Sequence, residues 1–106
     1  MRTFQTFDDA MGAPTDILSP SDTRYTVMLA AGVPKGIPVP AGAASVVFSA
    51  TGPFWVQYGA AAALPAADDL SGSAPELSPA ARRINGIASL GLVAPEACAV
   101  ALSFFG

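Results

Sequence analysis

Residues 45–59, SVVFSATGPFWVQYG, constrain the fold more than any other stretch of the chain. Val46 and Phe48 stand two apart, as do Phe54, Val56 and Tyr58, and as do Trp55 and Gln57. A period of two puts alternate side chains on opposite faces of a strand, and aromatic and β-branched residues suit that pleated surface. Thr51-Gly52-Pro53 breaks the pattern with turn-forming residues, so the stretch reads as two short strands over 43–50 and 54–58. If Phe54, Val56 and Tyr58 face the core, Trp55 points outward and needs a cover. If the faces are reversed, Trp55 is core and Tyr58 is the exposed aromatic.

The rest of the chain repeats this grammar. Residues 23–33 set Tyr25, Val27, Leu29 and Ala31 against Thr26, Met28 and Ala30. Ile37-Pro38-Val39-Pro40 lacks two amide donors and fits only an edge strand or an extended loop. Residues 87–94 place Ala88, Leu90 and Leu92 on one face and Ile87, Ser89 and Val93 on the other. Gly91, on the second face, marks a bulge or a close approach of backbone. Residues 98–105 are apolar on both faces, as in a strand that lies centrally or is covered by another subunit. Within that strand the lone Cys98 reads as a small buried hydrophobe.

Residues 60–85 form the longest stretch outside strands. Pro65 cuts short the alanine run that precedes it, and residues 68–75 have loop composition. Ser78-Pro79 fits the cap and first position of a single helical turn, and Asn85-Gly86 predicts a tight turn. The sum is five or six strands with Gly and Pro between them and almost no helix. It predicts an all-β fold, a small antiparallel β-sandwich or barrel with at most one short helical turn. Residues 23–106 make a single β domain. Residues 1–22 read as an extended N-terminal arm with Phe4, Phe7 and Met11 as isolated apolar anchors.

Of the 106 residues, 52% are apolar and only 12% charged. Such a surface is largely small and polar, or is partly covered by neighbours. The net charge of -3 includes five basic residues, too few to track a phosphate backbone, so no direct nucleic-acid binding is expected. Arg82-Arg83, the one basic pair, is either a solvated turn or an ion-pairing contact to a partner subunit. With no histidine, the chain has neither a Ser-His-Asp nor a Cys-His site, and one cysteine cannot build a zinc cluster. Asp8-Asp9 and Asp68-Asp69 could flank a hard cation, but their spacing fits no calcium loop and they read as solvated acids. No apolar signal region follows Met1-Arg2, and the C-terminal apolar run falls short of the roughly 20 residues of a spanning helix. The expectation is a chain made in the cytoplasm, with no membrane partner and no cofactor.

Residues 44–105 resemble a small β-structured family of bacteriophage and prophage virion proteins. SVVFSATGPFWVQYG is similar to that family's strand pair ending in an aromatic and a glycine. AADDLSGSAPELSPAARRING resembles its loop of acidic residues, a Gly-Ser segment, a Leu-x-Pro step and a basic residue. GIASLGLVAPEACAVALSFF resembles its closing hairpin ending in aromatics. The N-terminal arm lies outside the resemblance. What the resemblance implies is a non-enzymatic structural virion protein with no catalytic, cofactor or metal residues.

The leading expectation is a capsid decoration (cement) protein. It would stabilise the head by self-association, with a trimer favoured, and by bridging major capsid subunits. The alternative is a head–tail connector or tail accessory protein with another virion protein as partner. A carbohydrate-binding β module using Trp55 and Tyr58 is a further alternative. The residues expected at partner or self-association contacts are Phe4, Phe7, Met11, Trp55, Tyr58, Arg82, Arg83 and Phe105.

Overall fold

A computed structural model describes Met1, residues 20–106 and the backbone of two strands before them. In chain order the strands are β1 (Thr6–Asp8), β2 (Pro14–Leu18), β3 (Thr23–Leu29), β4 (Lys35–Pro38), β5 (Ser45–Ala50), β6 (Trp55–Tyr58), β7 (Glu76–Leu77), β8 (Ala81–Arg83), β9 (Ser89–Val93) and β10 (Cys98–Phe105). β1 and β2 pair antiparallel as a sheet of their own. Of the arm's expected anchors, Phe4, Met11 and the side chain of Phe7 lie outside the described residues.

The remaining strands form two four-stranded antiparallel sheets packed as a sandwich, in the orders β3-β10-β5-β8 and β4-β9-β6-β7. The two orders match position by position. The positions correspond as β3 to β4, β10 to β9, β5 to β6 and β8 to β7, as expected of two sheets stacked strand over strand. Each stacked pair is consecutive in the chain, so the sandwich consists of arches laid side by side. Neighbouring strands run antiparallel, so every arch bends at the same end. Bonds between arches close that end. The Gly32 amide donates to the Ala94 carbonyl (2.8 Å) and the Thr51 amide to the Ala99 carbonyl (3.0 Å).

The sequence reading of 45–59 as two strands holds, but they are not neighbours in one sheet. Thr51-Gly52-Pro53 carries the chain across the core, so β5 pairs with β10 and β6 with β9. The core lies between the layers. Val27, Leu29, Val46, Phe48, Val100, Leu102 and Phe104 from the first sheet meet Ile37, Val56, Leu90 and Leu92 from the second, with Phe54 at the arch bend. The alternation read in residues 23–33 holds over Thr23–Leu29, where Val27 and Leu29 are buried and Thr26 and Met28 exposed. β10 lies centrally in its sheet. Its outward residues Ala99, Ala101 and Ser103 are small, and Phe105 is buried at the strand's end.

Residues 60–85 depart most from expectation. They supply β7, β8 and the fully buried Ile84. The expected helical turn at Ser78–Pro79 is absent, because Ser78 adopts the left-handed region at φ 44 and Ala81 starts a strand. Ser78 instead braces two arches. Its amide donates to the Phe54 carbonyl (2.8 Å), and its Oγ accepts from the Phe54 amide (3.3 Å). The turn at Asn85-Gly86 is present: the Ile87 amide donates to the Ile84 carbonyl (3.0 Å), with Gly86 at φ 80. It joins strands of different sheets, however, and is not a hairpin. β4 is an edge strand, as its prolines require.

Candidate functional site

Three surfaces gather the residues singled out by the sequence. The first lies at the sandwich edge formed by β7 and β8, where β7 pairs with β6 and β8 with β5. Tyr58 lies on the inner face of β6, and its hydroxyl donates to Glu76 Oε1 at 2.6 Å. The Arg82 guanidinium grips the same carboxylate, with Nη2 2.8 Å and Nε 3.1 Å from Oε2. Arg82 Nη1 also donates to the Ala81 carbonyl at 2.6 Å. The Arg82 bonds and then the Tyr58 hydroxyl hold the Glu76 carboxyl below the ordinary glutamate range. Burial, and then the Glu76 carboxylate, push the Tyr58 phenol up, so it stays protonated and acts as a donor. The cluster is a clasp between the two sheets. Its charges answer one another within the chain, and Arg82 stays exposed while it does so. Arg83 is exposed.

The second surface is the outer face of β6. Trp55 and Gln57 point away from the core, and residues 60–75 run over them. Gln57 Nε2 donates to the Ser73 carbonyl at 2.9 Å and pins this segment down. Between them lies a cleft of about 460 Å³ lined by Trp55, Gln57, Leu64, Pro65, Asp69 and Pro75. The segment crosses β9 at Gly91, where a side chain would collide with backbone: a Cβ would stand 2.4 Å from the Ala60 carbonyl oxygen. Gly91 thus marks a close approach, one of the two options its position raised. The segment also half-buries Trp55, which the sequence reading had assigned to a partner if Trp55 faced outward. Trp55 and Tyr58 lie on opposite faces of the sheet and do not form one stacking platform.

Asp69 serves the loop itself. Its Oδ1 accepts from Ser71 Oγ (2.6 Å) and the Ser71 amide (3.1 Å), and those bonds lower its carboxyl below the ordinary range. Among the described residues no group of acids, histidines and cysteines is arranged to hold a metal.

The third surface is the outer face of the first sheet. Thr26, Ala101 and Ser49 line up in register across β3, β10 and β5. All three are exposed, small and uncharged, and Met28 beside them is 64% exposed. Phe105 is 4% exposed, so its ring offers no surface to a partner. Sequence reasoning placed Met28 on the right face but missed its role as an exposed apolar residue. Glu76 it missed altogether, since the pairing with Tyr58 and Arg82 depends on how the arches stack. No protein-family model, no curated protein and no solved structure matches the chain.

Proposed function

We propose that the chain is a structural virion protein of a bacteriophage, a capsid decoration protein that bridges neighbouring subunits of the shell. The resemblance of residues 44–105 to small phage virion proteins supports this reading. The observation that carries it is the outer face of the first sheet, where Thr26, Ala101 and Ser49 form an exposed uncharged row beside exposed Met28. A row of small uncharged residues can lie close against another surface with few polar groups to desolvate, while Arg24 stands at its margin. Many copies acting together turn modest contacts into stable attachment. The same surface fits a head–tail or tail accessory protein, which differs in where and how often it docks.

The test is cosedimentation with particles of a phage encoding this chain, assembled without it. Saturable binding in proportion to the major capsid protein is expected. Ala101→Arg keeps the fold, because Ala101 is exposed, and should abolish binding. Failure of the intact chain to bind overturns the reading. Equal binding by the Ala101→Arg variant removes the outer face from it.

A further inference from the structure

Sheet edges carry unpaired amide and carbonyl groups that can template pairing with another strand. Most edges of this sandwich are blunted by sequence. β4 contains Pro38 and is flanked by Pro34 and Pro40. β7 is 2 residues long, and β8 is 3 residues with two arginines. β3 differs. It is 7 residues long and has no proline, and among the described residues no strand pairs with its outer side.

The ladder fixes which groups point outward. The Phe105 carbonyl accepts from the Ala44 amide, and the Ala99 carbonyl from the Thr51 amide, so the odd-numbered residues of β10 address β5. Val100 and Leu102 therefore address β3, opposite Val27 and Tyr25. Tyr25, Val27 and Leu29 use their backbone groups on β10, while Arg24, Thr26 and Met28 turn theirs to the free edge. The Lys35 ammonium agrees: it reaches from β4 to donate to the Met28 carbonyl at 2.9 Å.

We propose that this edge pairs with β3 of a second copy of the chain, antiparallel about a twofold axis at Thr26. Thr26 then bonds its own symmetry mate, and Arg24 faces the partner's Met28. The strand is complementary to itself in this register. Threonine pairs across strands are favourable, and each Arg24 faces the partner's Met28 and not the partner's Arg24. The Arg24 stem lies along the partner's Met28 and covers a side chain that is 64% exposed in the single chain. The two Arg24 residues stand about 14 Å apart along the strands, beyond the Debye length of about 10 Å in tenth-molar salt. The Met28 carbonyl keeps a second lone pair beside Lys35. Pairing joins the first sheets of two copies into one continuous sheet. It builds a twofold dimer in place of the trimer expected from the sequence. The inference stands whether or not the protein belongs to a virion.

The experiment combines amide hydrogen exchange with sedimentation mass, both on the full chain. A dimer is expected, with the Arg24, Thr26 and Met28 amides protected along with those of Tyr25, Val27 and Leu29. Thr26→Pro removes an amide that the fold does not use and should raise the dimer dissociation constant roughly ten- to a hundredfold. In the resulting monomer the Arg24 and Met28 amides lose protection, and those of Val27 and Leu29 keep it. Thr26→Lys, which retains the amide, should weaken the dimer at low salt and regain it at high salt. A monomer whose Arg24, Thr26 and Met28 amides exchange freely overturns the proposal. So does an oligomer in which they remain unprotected, or a monomer in which they are protected by the chain itself.

Discussion

Gly91 lies directly beneath Ala60 and Ala62: a Cβ on Gly91 would stand 2.4 Å from the Ala60 carbonyl oxygen and 2.6 Å from the Ala62 amide nitrogen. Both contacts are backbone, so a Cβ there must displace the segment itself and not the tip of a side chain. Gly91→Ala is expected to destabilise the fold by about 1–3 kcal/mol, the usual cost of overpacking a tight site. Gly36 stands opposite Gly91 on β4, and a Cβ there meets nothing within 4 Å. Gly36→Ala should therefore change stability by less than about 0.5 kcal/mol. Urea unfolding of both variants checks the contrast. Trp55 emission should also shift to the red in Gly91→Ala alone, because the segment that half-buries Trp55 is the one displaced.

The Tyr58–Glu76–Arg82 clasp gives stability a pH dependence at both ends. The Glu76 carboxyl is lowered in the folded chain. Its contribution is complete above the ordinary glutamate value of 4.5 and is lost as the pH falls through the lower folded value. The Tyr58 phenol is raised. Its contribution is complete below the ordinary tyrosine value of 10.0 and is lost as the pH rises from there toward the folded value. Glu76→Gln should flatten the acid limb of the stability profile. The Glu76 side chain is 38% exposed, so at neutral pH the loss stays below about 1 kcal/mol. Melting temperature recorded across the acid range for both proteins is the measurement.

Phe104 is fully buried, with its ring edge-on to Tyr25 at 5.0 Å and 63°. Phe104→Ala removes that contact and leaves a cavity between the layers, at an expected cost of about 3–5 kcal/mol. Tyr25→Phe keeps the aromatic pair and should cost far less. Chemical denaturation distinguishes the two.

The arch topology predicts slow folding. Apart from β6 with β7, every pairing in the sandwich joins strands that are not consecutive in the chain. Loop-closure entropy is therefore spent before most contacts form, and refolding should take milliseconds to seconds, as for other sandwiches rich in non-local pairing. Stopped-flow Trp55 fluorescence measures the rate. Refolding in tens of microseconds would contradict the topology.

The alternation of the strands was legible in the sequence because a period of two reports burial directly. Val27 and Leu29 share one buried face and Leu90 and Leu92 another, as that pattern groups them, whereas for β6 the pattern left both facings open and Phe54 and Val56 took the core. Gly91 was legible as a place where something comes close, and the prolines of 34–40 as an edge. The division of strands between sheets was not. Thr51-Gly52-Pro53 permits a hairpin or an arch equally well, and the choice depends on β10 and β9, which come much later in the chain. Glu76 was invisible for the same reason, since nothing local tells a loop acid that Tyr58 and Arg82 will meet it. Residues 60–85 misled because their strands are short and their buried anchors, Ile84 and Ala62, stand alone without a repeating pattern.

The most direct test of the proposed role is the number and position of copies in the particle. Quantitative mass spectrometry of purified virions, with a reconstruction of the shell, supplies both. A decoration protein is present in fixed proportion to the major capsid protein and spread over the shell, with the first sheet's outer face against it. A few copies confined to one vertex or the tail would contradict capsid decoration, and absence from the virion would contradict the whole reading.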